Sequence, residues 1–403
     1  MVIAKKETDS SLSFRKYGSP LYSAGWRRSK NRDRSSDNDE VSNSTQYDVV
    51  LAGGGGEGRS GIPNAILISA FYSDANSLSD QPVFRLLTGS DLPYRMAVHP
   101  NGDGVFCSFP NSCRWYEMVE EKSEDGEHYK LILKESDKVQ HRLEDVGQQL
   151  SLAFNNEGSA LAAGSEDGNL RVFEWPSMVI ILDKAGAHKS VKDLDFSPDG
   201  KYLVSLGNSG PAKVWDLTSK SAIASLLNGN DEVFCFCRFS VSNDMNQVVY
   251  IAAVTGKGGS IVTWDTETWK RIGSKTVVHD TISAFNVSPD GKLLACGTTQ
   301  GDVYILNSAS KQVQTVVRKA HLGFVTALAF SHDSRALASV SLDSSARVTL
   351  IEENKKTGAL SLWAILLVIL LAIVVYYYFM KNQVKMAKSN LIRHEVSKLW
   401  VEI

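Results

Sequence analysis

The chain has 403 residues, 43% of them hydrophobic, and carries 43 Lys and Arg against 45 Asp and Glu for a formal net charge of −2. That length has room for one large repeat domain or two ordinary ones, and the balanced charge argues against both a nucleic-acid binder and a polyacidic tail. Five cysteines (Cys107, Cys113, Cys235, Cys237 and Cys296) form an odd set without metal-ligand spacing, as expected of free thiols in a reducing compartment.

Residues 1–17 are polar and hold no apolar run long enough for a signal peptide, so they are expected to be disordered. An apolar island, Ser19-Pro20-Leu21-Tyr22-Ser23-Ala24-Gly25-Trp26, follows, and then a Ser-, Asn-, Asp- and Arg-rich insertion at 27–46. Two strand-like runs, Tyr47 to Ala52 and Ala65 to Tyr72, flank the most unusual stretch: Gly53-Gly54-Gly55-Gly56-Glu57-Gly58-Arg59-Ser60-Gly61-Ile62-Pro63-Asn64. Glycine loses more freedom on ordering than any other residue, so this density implies special backbone conformations or a close approach. Gly53, Gly58, Arg59 and Ser60 fall on phosphate-loop spacing with Arg in the lysine position. A phosphate loop needs that lysine and a helix behind it, whereas Pro63 and a strand follow here. The stretch reads as an ordered hairpin loop, with Ile62, Pro63 and Asn64 near its tip, displayed for a partner.

From there to about residue 352 the chain repeats. Met96-Ala97-Val98-His99-Pro100-Asn101-Gly102, Leu152-Ala153-Phe154-Asn155-Asn156-Glu157-Gly158, Leu194-Asp195-Phe196-Ser197-Pro198-Asp199-Gly200 and Phe285-Asn286-Val287-Ser288-Pro289-Asp290-Gly291 each open a copy. Phe239-Ser240 and Phe330-Ser331-His332-Asp333-Ser334 open two more. The period, roughly 40 to 55 residues, is that of a four-stranded propeller blade. Trp215-Asp216 and Trp264-Asp265 resemble the WD-repeat signature, and His188 and His321 resemble the histidine of its Gly-His element. These histidines and aspartates are therefore read as structural, hydrogen-bonded inside their blades.

Counting the glycine hairpin as a blade gives an all-β, seven-bladed WD-repeat-like propeller over 18–352. In this scheme Leu21 to Trp26 is the innermost strand of the first blade, and the glycine loop joins its second and third. Residues 118–147 read as a second polar insertion, and the last blade is expected to be short of an outer strand. A linker at 353–358 leads to an uncharged run from Ala359 to Met380, long enough for a transmembrane helix, with Trp363 and tyrosines as interfacial anchors. Lysines and Arg393 after the span favour a cytosolic C-terminus by the positive-inside rule. The absent signal peptide favours a propeller made and kept in the cytosol, with 381–403 as a short luminal tail, and that argument is preferred here. No H-E-x-x-H, G-x-S-x-G, zinc spacing or complete phosphate loop occurs, so no catalytic residue is assigned and no covalent chemistry is expected.

The glycine stretch together with Asp91-Leu92-Pro93-Tyr94-Arg95-Met96-Ala97-Val98-His99-Pro100, Asp145-Val146-Gly147-Gln148-Gln149-Leu150 and Ile282-Ser283-Ala284-Phe285-Asn286-Val287-Ser288 closely resembles the Sec-twelve family, and more narrowly the plant Sec-twelve-like proteins. The resemblance implies a guanine-nucleotide exchange factor of the endoplasmic-reticulum membrane. Its partner would be the Sar-type small GTPase, its outcome COPII coat assembly and transport to the Golgi, with coat components as further partners. It also implies a potassium ion ordering the loop, mainly through backbone oxygens of Gly53, Gly54, Gly55, Gly56, Glu57, Gly58 and Gly61. Ile62, Pro63 and Asn64 would then meet the GTPase: Ile62 as an apolar anchor, Pro63 as a fixed backbone, Asn64 as a hydrogen-bonding group toward the switch region. Asp91-Leu92-Pro93-Tyr94 would open on the same end and widen the contact. The alternative is a non-catalytic membrane scaffold that assists cargo exit; the intact glycine stretch favours exchange.

Overall fold

The computed structural model describes residues 12–28, 46–58, 60–122, 129–136, 143, 146–241, 246–351 and 362–399. The chain divides into two compact units, Met1–Ile351 and Glu352–Ile403.

The first unit is a ring of seven antiparallel sheets. The first blade runs outward from Leu21–Arg27 through Gln46–Gly53 to Ala65–Tyr72, which pairs with both Ser77–Leu78 and Phe84–Leu87. The innermost strands of the next six, Arg95–Val98, Gln149–Phe154, Val191–Phe196, Val233–Val241, Ile282–Val287 and Val325–Phe330, pack successively around the centre. Second strands are covered on both faces by neighbouring blades, which explains their continuous small and apolar sequences. Every residue of Ala160–Ser165, Leu293–Thr298 and Ala336–Ser341 is buried.

The recurring turns work as their sequences require. Ser197 Oγ accepts from Tyr202 N at 2.8 Å while Asp199 accepts from Lys201 N at 3.1 Å. Ser288 with Asp290, and Ser331 with Asp333, repeat this pattern. Inner-strand side chains tie one blade to the next: Thr326 Oγ1 donates to Leu21 O at 2.6 Å, Asn286 Nδ2 to Leu328 O at 2.7 Å, and Arg238 pairs with Asp193 at 2.6 Å.

The histidines are structural, as the repeat pattern implies, though their partners are serines. His188 Nε2 and Trp215 Nε1 both meet Ser205 Oγ at 2.8 Å. His321 lies between Ser345 Oγ at 2.6 Å and Ser339 Oγ at 2.8 Å, with Asp343 at 3.9 Å. Asp216 and Asp265 instead cap the turns that follow them, through Thr218 N and Thr268 N. Burial pushes both His188 and His321 down from 6.5 to about 4. A depressed histidine favours the neutral folded form, so this contribution is full above pH 6.5 and is lost as pH falls toward 4. Acidification from pH 7.5 to 5 is therefore expected to lower the thermal midpoint by several degrees. The double variant His188→Asn/His321→Asn should be less stable but flatter with pH; an unchanged slope would assign the acid sensitivity to other groups.

Three sequence expectations need correction. Residues 1–17 are not wholly disordered: Phe14–Lys16 is the outer strand of the seventh blade, antiparallel to Ser345–Leu350 with Phe14 opposite Arg347. The ring thus closes by joining its two chain ends, and the last blade has its fourth strand. A three-residue strand with two charges carries too little pattern to be read locally. Most of the described residues within 118–147 are likewise sheet, since Cys113–Lys122 and Tyr129–Ser136 are the third and outer strands of the second blade, in register from Tyr129↔Lys122 to Ser136↔Trp115. Outer strands are half solvated and tolerate the charges that mimic an insertion. Of the stretch 27–46, Arg27 ends an inner strand with its guanidinium buried against Asp48 and Glu120, at 3.1 and 3.0 Å; most of the remainder lies outside the described residues, as does the 353–358 linker.

The described residues of the second unit form one helix, Leu362–Leu399. Its segment Leu366–Asn390 is long and apolar enough to cross a membrane. The helix does not stop at Met380 but continues through most of the expected tail. Its 38 residues span about 57 Å, well beyond a hydrocarbon core of about 30 Å.

Candidate partner-binding loop

The glycine loop joins the second and third strands of the first blade, where Gly53 pairs with Ala65 and Ala65 with Leu87. It therefore shares one end of the ring with the crossing 17–20 and the connection 88–94. Within the first unit, Ile351 N donates to Arg335 O in a turn at the opposite end of the ring.

Asn64 organises the loop. It is only 2% exposed. Its Oδ1 accepts from Gly56 N at 2.9 Å, and its Nδ2 donates toward Gly56 O at 3.2 Å and toward Gly89 O and Ser90 O at 3.0 Å each. Thr88 N donates to Asn64 O at 3.0 Å, and Thr88 Oγ1 donates to Asp91 O at 2.7 Å. The strand that precedes the loop is anchored from behind by Gly54 N donating to Pro20 O at 2.9 Å. Several glycines are required by this geometry, Gly54 and Gly56 among them. A Cβ on Gly54 would lie 2.1 Å from Asn64 Oδ1, and Gly56 has φ +80°, where side chains are strained.

The sequence-predicted residues thus separate. Ile62, 37% exposed, and the exposed Pro63 face outward, together with Glu57, Gly58, Ser60 and Gly61. Ile62 N donates to Ser60 Oγ at 3.3 Å, which stiffens the tip. Asn64 does not sit at the tip: it is buried, and its amide is fully used within the protein. Its role moves from contacting a partner to holding the loop. Arg59 lies outside the described residues.

Of the seven residues expected to line a potassium site, Gly56 has its carbonyl bonded to the Asn64 amide. Gly89 and Ser90, which sequence reasoning missed, supply the other carbonyls. Their signal was the short Thr88-Gly89-Ser90-Asp91 turn, but nothing local pairs it with a loop 25 residues earlier. The donor set is made of neutral carbonyl oxygens, the chemistry that suits a potassium ion. No group of three or more His, Cys, Asp or Glu that could hold a metal occurs among the described residues. In this geometry the partial positive charge gathering the carbonyls is the Asn64 amide.

The connection at 88–94 is also fixed. Asp91 pairs with Arg114, whose guanidinium lies 4.6 Å over the Phe109 ring. Pro93, expected on the contact surface, is buried instead, while Asp91, Leu92 and Tyr94 are half-buried.

The model of the WD domain, G-beta repeat, matches residues 140–174, 181–216 and 310–349. SEC12-like protein 2 of Arabidopsis thaliana is 55% identical over 312 residues, covering 76% of this chain and 77% of the relative. SEC12-like protein 1 of the same plant is 31% identical over 324 residues, covering 79% of each. The chain belongs to the SEC12-like family. A more distant member of the same group, the mouse protein named guanine nucleotide-exchange factor SEC12, is 24% identical over 377 residues, covering 79% of this chain and 88% of its own. For a SEC12-like chain the exposed, internally braced loop is thus the natural place to seek contact with a small GTPase.

Proposed function

We propose that this SEC12-like chain is a guanine-nucleotide exchange factor for a Sar-type small GTPase. It would act at the endoplasmic-reticulum membrane, with its propeller in the cytosol, at the start of COPII coat assembly. The observation that carries the reading is the loop: Asn64 and the Gly89-Ser90 turn hold it from behind while Glu57, Gly58, Ser60, Gly61, Ile62 and Pro63 are exposed. Exchange requires no covalent chemistry. It requires tighter binding to the nucleotide-free GTPase than to the loaded form, since only that difference drives release. A loop braced in advance loses little entropy on docking and can favour one partner conformation.

In this scheme Ile62 is the apolar anchor, Pro63 fixes the backbone beside it, and Asn64 keeps both in place. Carbonyls of Gly56, Gly89 and Ser90 are the oxygens that would hold potassium, which would have to take the place of the Asn64 Nδ2 hydrogens beside them. The Leu366–Asn390 span would anchor the chain, and the cytosolic placement of the propeller follows the preference against translocating a folded domain.

The test is release of fluorescent GDP from Sar-, Arf- and Ras-type GTPases by the full chain in proteoliposomes. Acceleration of at least tenfold is expected for the Sar type alone, a difference of about 1.4 kcal/mol in barrier. Release at the intrinsic rate from all three would overturn the reading.

A further inference from the structure

Beyond the glycine loop, the same end of the ring carries an apolar cluster that the fold does not use. Leu322 is 79% exposed, Phe324 51% and Leu342 39%. They lie on two loops of the sixth and seventh blades that brace one another. Leu342 N donates to Phe324 O at 3.3 Å, and Leu322 N donates to the Asp343 carboxylate at 2.7 Å. Beneath them, buried His321 is fixed between Ser339 and Ser345. Single exposed apolar residues are ordinary on a protein surface, but a braced cluster of three is not.

Backbone hydrogen bonds tie the loop that carries Leu342 to the base of the glycine loop. Ser344 O, two residues beyond Leu342, accepts from Tyr17 N at 2.8 Å, and Pro20 O, three residues beyond Tyr17, accepts from Gly54 N at 2.9 Å. The seventh blade adjoins the first at this closure, so the two loop systems lie on neighbouring blades at one end.

Interface size adds a second argument. A stable protein–protein contact draws on roughly 20 to 30 residues a side, about 800 Å². Among the described residues of the glycine loop only Glu57, Gly58, Ser60, Gly61, Ile62 and Pro63 are exposed. They cannot supply that area alone, and a partner seated on Ile62 must spread onto adjoining blades. From these observations we infer that Leu322, Phe324 and Leu342 form a second anchor for the same small GTPase, met by an apolar patch on its surface. This rests on the exchange reading above and extends it. The glycine loop discriminates nucleotide states, while the triad supplies affinity common to both. Removing uniform affinity raises KM and leaves kcat in place.

The experiment uses the full chain in proteoliposomes, with Sar-type GTPase at increasing concentration, and a binding measurement to the nucleotide-free GTPase. Leu322→Ser/Phe324→Ser should weaken binding and raise KM at least tenfold, with kcat retained. Leu322→Asp alone, at a side chain that is already mostly in water, should give a smaller shift in the same direction and keeps the test valid if the double variant folds poorly. Unchanged KM and binding in both variants, with native exchange intact, would overturn the second anchor and leave the exchange reading standing. If the native chain neither binds nor accelerates release, both are overturned together.

Discussion

Substituting Asn64 by alanine is expected to lower exchange activity on the order of 100-fold while leaving the propeller folded, because one side chain gathers a backbone donor and three carbonyls. An unpaired backbone group costs about 1–3 kcal/mol when buried, and the loop is free to escape this by rearranging. Once it rearranges, Ile62 and Pro63 lose their fixed position and the ordering entropy returns to the docking step. Asn64→Asp is the sharper variant. It keeps the shape and the acceptor facing Gly56 N, but it turns an oxygen toward the carbonyls of Gly56, Gly89 and Ser90. Both variants should fail in GDP release at thermal midpoints near the native one. If Asn64→Asp retained native exchange, the carbonyl cluster would not be what positions the loop.

Deleting residues 1–17 is expected to damage the propeller itself. The deletion removes Phe14–Lys16 from the edge of the seventh blade and takes away Tyr17, which is 7% exposed and bonded through its hydroxyl to Ser69 Oγ at 2.8 Å. Burying Tyr17 and covering Phe14 is worth about 4 kcal/mol together. For a domain of this size that corresponds to a fall of about 6 °C in the thermal midpoint. The newly opened edge of Ser345–Leu350 would also invite association between chains. Thermal unfolding and size-exclusion chromatography of the truncated full-membrane chain check both effects. A native midpoint in a monodisperse sample would show that the ring does not depend on this closure.

Much of this architecture is legible in the sequence because it is written locally. Ser-Pro-Asp-Gly turns, continuous apolar second strands and glycine-dense loops each carry their own pattern, and the strand order of the first blade follows from them. What the sequence conceals is long-range. Phe14–Lys16 finds its partner at Ser345–Leu350, at the other end of the propeller, through backbone pairing that needs no distinctive side chains. Asn64 reads as a polar tip residue until the Gly89-Ser90 carbonyls arrive from another loop. Arg27 reads as the start of a polar insertion until Asp48 and Glu120 enclose it. In each case the local chemistry is correct and the environment is supplied by the fold.

The most direct measurement is amide hydrogen exchange of the full chain with and without the nucleotide-free Sar-type GTPase. The account predicts new protection over residues 54–64 and 88–91, at one end of the ring, with the turns at 197–201, 288–292 and 331–335 on the other end unchanged. Protection confined to those opposite turns, or none anywhere on the propeller, would contradict it.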